Sequence, residues 1–291
     1  MDASLYRIRA LQAADVEAAL ELMQLANPAY DAQSLRAHRH LLELSCAPAG
    51  SGVTDEALRV LAEEMAENAA GVPVDADTVL RQLREKQATG ALVETGLISV
   101  VAEERATGTV VGLVNAGVPG RWTHQAATQL PEPMVRQLRE RVVEVSDIAV
   151  APSARRRGIG QELLAAVLNA DTERAQQWRV AMWFFHEGAG AGGFHRAMAP
   201  EWPVGQPIAF LDSGREYAPF REMTGDLRAC VAPLHPNLTL IMDPTGRPAI
   251  KGVFDQPWPE STSSGRKAGT STAALKRDKK KDKKMRGRAR G

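Results

Sequence analysis

The stretch from Val142 to Leu168 constrains the fold more than any other part of the chain. An apolar, β-branched run from Val142 to Val150 is stopped at Pro152 and followed by a basic loop with two glycines. Beyond Gly160, Leu163, Leu164, Val167 and Leu168 recur at helical spacing. Such a segment reads as strand, short loop, helix. The first turn of a helix leaves backbone N–H groups unpaired, so a loop that delivers a bare backbone to that turn is an anion cradle of the size of a diphosphate. Gly158 and Gly160, either side of Ile159, remove side chains that would hold a phosphate away. Arg155, Arg156 and Arg157 add positive charge.

Several phosphate-binding patterns share this logic, and the residues separate them. No Gly-Lys-Ser/Thr ending is present, which excludes a P-loop, and the third glycine of a dinucleotide-binding turn is missing. The run Arg155-Arg-Arg-Gly158-Ile159-Gly160, after a strand and before a Leu-Leu helix, resembles the Arg/Gln-x-x-Gly-x-Gly/Ala signature of the GNAT family of N-acetyltransferases. The flanks are similar too: Tyr6 to Leu11 and a helix after Asp15, a hairpin ahead of the motif, and a strand Val180 to Phe185 behind it. The resemblance spans residues 5–243, with distinctive residues confined to 142–200.

The resemblance implies acetyl-CoA as acyl donor and direct transfer of its acetyl group to a primary amine, without an acyl-enzyme. Its pantetheine arm would lie in a splay between the fourth and fifth strands. Ile148, Ala149 and Val150 would offer backbone groups to that arm, one N–H polarising the thioester carbonyl. Arg155, Arg156, Arg157, Gly158, Ile159 and Gly160 would hold the pyrophosphate.

An alkylamine with a pKa near 10.4 is mostly protonated at neutral pH, and removing its proton costs about 4–5 kcal/mol, so a base is expected. Glu144, eleven residues before Arg155, stands where histone-type members of the family carry a catalytic glutamate; a solvated strand-end glutamate is the other reading. Regular alternation puts Glu144, Ser146 and Ile148 on one face and Asp147, a weaker candidate, on the other. The family's tyrosine after the fifth strand, which protonates the departing thiolate, is replaced here by His195 in Phe194-His195-Arg-Ala-Met-Ala-Pro200. A histidine near neutrality could give that proton, and a helix-surface histidine is the alternative. Tyr217 is a fallback. Acceptor recognition is assigned to the loop around Trp122 and His124 and to the helices before residue 90.

The remaining pattern predicts two helices within about 54–88, interrupted at Gly71–Pro73, and a hairpin of Leu97–Glu104 with Thr109–Val118. A helix near Pro133–Arg139, a strand Arg179–His186, a loop Gly188–Gly193 and a late strand Leu238–Met242 follow. The expected class is α+β or mixed α/β. It comprises one mostly antiparallel central sheet flanked by helices, with a helical insertion, in a domain over 1–254.

Charge is distributed unevenly. Residues 266–291 hold twelve Lys or Arg against two Asp, +10 of a formal net charge of +1, so the rest of the chain carries −9. The tail from 255 has almost no large apolar residues after Trp258 and is expected to be disordered. It reads either as a solubilising segment or as a docking arm for nucleic acid, ribosome or an anionic membrane surface. A non-catalytic acyl-CoA-binding module docked on nucleic acid through this tail is the alternative to an enzyme. Cys46 and Cys230, far apart, indicate neither a disulfide framework nor a metal site, and His38 and His40 read as solvated. No stretch reaches the roughly 20 apolar residues of a membrane span, and no leader is visible, so a cytoplasmic protein is expected.

Overall fold

The computed structural model describes residues 5–46, 54–67, 75–88, 97–120, 123, 126, 129–170, 172, 175–187, 191–212, 215–220, 225–243 and 245–254. These belong to the unit Met1–Trp258; the second unit, Pro259–Gly291, and the whole tail from 255 lie outside the described residues, as do Trp122 and His124.

The central sheet has six strands in the order β1 (Tyr6–Ala10), β2 (Ile98–Glu104), β3 (Val110–Gly117), β4 (Val142–Val150), β5 (Val180–His186) and β8 (Leu227–Pro233). Every neighbouring pair is antiparallel except β4 and β5. The hairpin β2–β3 turns through Gly108 at φ 72°, a left-handed conformation that glycine adopts without a Cβ penalty. A second sheet of four strands, β7 (Arg215–Phe220), β6 (Ile208–Asp212), β10 (Pro248–Lys251) and β9 (Thr239–Met242), adds to the single sheet expected; the late strand near 239 belongs to it.

Helices cover both faces of the central sheet. Helix α1 (Val16–Ala26) buries Val16, Ala19, Leu20, Leu22 and Met23 against Val101, Leu113 and Ala149, with α2 (Ala32–Cys46) beside it. The insertion is a helix pair, α3 (Asp55–Glu67) and α4 (Ala76–Ala88), with its own core of Leu58, Leu61, Ala62, Val79, Leu80 and Leu83 resting on Leu41 and Leu44 of α2. Farther along the same face, α5 (Glu132–Arg141) and the second sheet pack on β5 and β8 through Val180, Met182, Phe210, Ile250 and Val231. The opposite face carries α6 (Ile159–Leu168), whose Ile159, Leu163, Leu164 and Val167 meet Val114, Val143 and Val145. The approach is close at Gly112, where a Cβ would stand 2.9 Å from the Leu163 Cδ1. One buried ion network ties the first strand in place: Arg9 donates to Asp15 at 2.5 Å and to Glu103 at 2.6 Å. It holds the Asp15 carboxyl below its usual range, chiefly through the Arg9 hydrogen bond.

Candidate active site

Strand β4 organises the site because its two edges end their pairing at different points. Toward β3 it is paired to Val150, whereas toward β5 the rungs run only from Val142–Val180 to Val145–Trp183. Beyond Val145 the parallel strands fork. On the β3 side, the Ala151 N–H donates to the Val111 carbonyl at 2.8 Å. Hydrogen-bonded and non-bonded pairs alternate in an antiparallel ladder, so Ala149 also turns its N–H to β3, and Ile148 and Val150 turn theirs to the open edge. The expectation that all three offer backbone groups is corrected on this point: Ala149 is committed to the ladder. The Val150 carbonyl is taken by Arg155 Nε at 3.0 Å, which leaves the N–H groups of Ile148 and Val150 as the donors facing the fork.

The strand is also out of regular phase. Asn115 pairs with Asp147 and the next residue, Ala116, pairs with Val145, so Ser146 is an extra residue, a β-bulge. The alternation predicted from sequence is therefore reversed across it. Val143, Val145, Ile148 and Val150 share the α6 face, whereas Val142, Glu144, Asp147 and Ala149 share the other. Glu144, half-buried, and Asp147, buried, stand together where the cover by α1 gives way to the cover by α5 and the second sheet. Asp147 accepts hydrogen bonds from Tyr30 Oη at 2.9 Å, Asn115 Nδ2 at 3.2 Å and Ser146 Oγ at 3.1 Å.

At the end of β4, Gly158 takes φ 80° and Arg156 φ 64°, two left-handed residues that swing the chain into α6 with no side chain capping its N-terminus. The free first-turn N–H groups of α6 thus face outward beside three exposed arginines. Their roles differ locally. Arg157 donates to Tyr6 Oη at 2.6 Å, Arg155 turns back to Val150, and Gly160 gives room to Phe194, whose ring would lie 3.2 Å from a Cβ there.

His195 lies on α7 (Gly192–Met198), buried, stacked on Phe185 at 4.5 Å and edge-on to Phe194 at 5.1 Å. Burial, reinforced by Arg196, pushes its pKa down to about 4. The expectation of an imidazole titrating near neutrality is corrected: this histidine is neutral at pH 7 and is not on the helix surface. Among the described residues its Nδ1 has no hydrogen-bond partner, and neither has the Trp183 Nε1 at the fork. Tyr217 is buried in the apolar cluster that also holds Val142, Val180 and Met182, with burial raising its pKa to about 12. His38 is half-buried, its Nδ1 2.7 Å from the Ser34 carbonyl, and tilts against Tyr30. Among the described residues, no His, Cys, Asp and Glu group could hold a metal ion, and no helix is long and apolar enough to cross a membrane.

Sequence reasoning missed Asn115 and Tyr30. Asn115 had a signal, as the sole amide in an apolar β-branched run; Tyr30, in the turn between α1 and α2, had none.

Residues 57–198 match the Acetyltransferase (GNAT) family. No curated protein matches the chain. Solved structures similar to it include an N-acetyltransferase from Staphylococcus aureus Mu50, 17% identical over 79% of this chain and 99% of that one, with a TM-score of 0.38. A ribosomal-protein-alanine N-acetyltransferase from Brucella melitensis is 18% identical over 77% and 96%, with a TM-score of 0.33. The PaiA N-acetyltransferase from Thermoplasma acidophilum, in complex with coenzyme A, is 11% identical over 78% and 98%, with a TM-score of 0.36.

Proposed function

Because residues 57–198 belong to the acetyltransferase (GNAT) family, which makes the chain an acyltransferase, we propose that it moves the acetyl group of acetyl-CoA to a primary amine by direct attack. The observation that carries this reading is the uncapped N-terminus of α6, opened by left-handed Gly158, next to the fork between β4 and β5. An uncapped helix N-terminus and an unpaired strand edge at the end of one strand support a donor made of a diphosphate followed by an extended amide-bearing arm.

In this reading Arg155, Arg156 and the first-turn N–H groups at Gly158, Ile159 and Gly160 hold the pyrophosphate; Arg157 acts by fixing the loop to Tyr6. The N–H groups of Ile148 and Val150 pair with the pantetheine arm, and one of them donates to the thioester oxygen as it gains negative charge. The bound donor supplies an acetyl carbon open to a nucleophile. A neutral amine nitrogen forms the C–N bond while the C–S bond breaks, and the electron pair leaves on sulfur. Glu144, directly or through water, takes the proton the nitrogen loses. The departing thiolate takes its proton from solvent, since His195 is held neutral by its burial.

The test is a calorimetric titration of acetyl-CoA into the wild type and into Gly158→Glu. The new side chain adds a negative charge at the cradle and, at φ 80°, about 1–2 kcal/mol of backbone strain, so far-UV circular dichroism accompanies it. Binding by the wild type and its loss in a folded variant are expected. A folded wild type that binds no acetyl-CoA would overturn the proposal.

A further inference from the structure

The β4 face opposite α6 holds a buried polar cluster that is short of donors. Asp147 is 9% exposed and Asn115 2%. All three groups that donate to the Asp147 carboxylate, the Tyr30 and Ser146 hydroxyls and the Asn115 amide, are neutral, and among the described residues no cation forms an ion pair with it. Buried charges in folded proteins are ordinarily paired with an opposite charge, because neutral hydrogen bonds only partly replace lost hydration. The amide beside it adds a second deficit. Asn115 Nδ2 is turned to Asp147 at 3.2 Å, and its Oδ1 has no partner among the described residues. Rotating that amide would aim an oxygen at a carboxylate oxygen, so the orientation is set by Asp147 and the orphan acceptor stays an acceptor.

Two adjacent acceptor groups, a carboxyl and an amide oxygen, have no positively charged donor among the described residues. An alkylammonium group has one charge and three N–H donors. The place fits such a group as well as the chemistry does. Asp147 follows the bulge at Ser146, where β4 has already parted from β5, and it shares its face with Glu144 at the border between the α1 cover and the α5 and second-sheet cover. Ser146 is exposed and Tyr30 half-exposed, and both border the carboxylate through their hydroxyls. The cofactor-side donors, Ile148 and Val150, belong to the open edge of the same strand.

We infer that Asp147 and Asn115 bind the ammonium group of the acceptor, entering on the face of β4 opposite the pyrophosphate cradle. This rests on the acetyl-transfer reading and deepens it. The acceptor is a cationic alkylamine, seized in its protonated form and delivered beside Glu144, and Tyr30 positions the carboxylate that seizes it.

The probes are n-butylammonium chloride and its uncharged analogue 1-pentanol, titrated by ligand-observed NMR into the full chain saturated with coenzyme A. Calorimetry of coenzyme A alone is run first, so that failure of the cofactor reading is seen separately. The wild type is expected to bind n-butylammonium at least about tenfold more tightly than 1-pentanol, as a charge-assisted contact to a buried carboxylate requires. Asp147→Asn should lose that preference while coenzyme A binding stays within about twofold. Should Asp147→Asn fail to fold, the wild-type pair of probes still decides. Equal binding of the two probes, or a folded Asp147→Asn that keeps the preference, would overturn the inference.

Discussion

Lowering the pH from 7 to 5 should weaken this protein through His195 specifically, and the size of the effect follows from where the ring sits. Its folded pKa is pushed to about 4 from the ordinary 6.5 by burial between Phe185 and Phe194, with Arg196 adding repulsion. A histidine whose folded value is lower binds more protons when unfolded, so its contribution is complete above pH 6.5 and is lost as the pH falls toward 4. At about 1.4 kcal/mol per pH unit, the whole window amounts to about 3 kcal/mol, of which about 2 is gone by pH 5. Other groups titrate in the same range, so the comparison needs a control. His195→Leu removes the ring and its partnerless Nδ1 at similar volume. Urea unfolding of both proteins at pH 7 and pH 5, followed by circular dichroism, should show the wild type losing about 2 kcal/mol more than the variant. With an m-value of about 3 kcal/mol/M, that is a midpoint difference of about 0.7 M. Equal losses in the two proteins would refute the argument, and would mean that the imidazole finds water or a partner when protonated.

Gly112→Val should destabilise the fold by about 1–3 kcal/mol in urea unfolding, because even a Cβ meets Leu163 at 2.9 Å and Ile159 at 3.2 Å. Glu144→Gln should lower kcat by roughly 10²- to 10⁴-fold with the KM for acetyl-CoA unchanged, measured at saturating amine; an unchanged kcat would move the base elsewhere.

Much of the fold was legible because its central elements are cleanly periodic. The spacing of Val16, Ala19, Leu20 and Met23 is that of α1, and the hairpin turn at Gly108 separates two β-branched runs. Helix α2 was not legible: its Leu35, Leu41, Leu42 and Leu44 are interleaved with Arg36, His38, Arg39 and His40, which blur the apolar stripe. Pro219 and Pro248 sit inside the second sheet's strands and weaken the strand pattern there, so that sheet was missed. At the site, the cradle could be read because glycine spacing is a local code. The bulge could not, since neither glycine nor proline marks Ser146; it emerges only when β4 is paired with β3. That one residue exchanged the expected neighbours of Glu144, and the burial of His195 likewise depends on Phe185, ten residues away in sequence and 4.5 Å away in space.

The early end of the β4–β5 ladder at Val145 and Trp183 leaves an interior strand with one main-chain edge unsatisfied by its own sheet. An edge of this kind discriminates shape and hydrogen-bonding rhythm, yet it is blind to the side chains that frame it. The two substrates of such an enzyme would then be read in different alphabets: the acyl donor by peptide groups that every residue possesses, the amine by particular side chains on the other face. Substitutions at Asp147 of β4 and Asn115 of β3 would retune which amine is taken while leaving the donor's recognition untouched, so a change of acceptor would require no change of cofactor site.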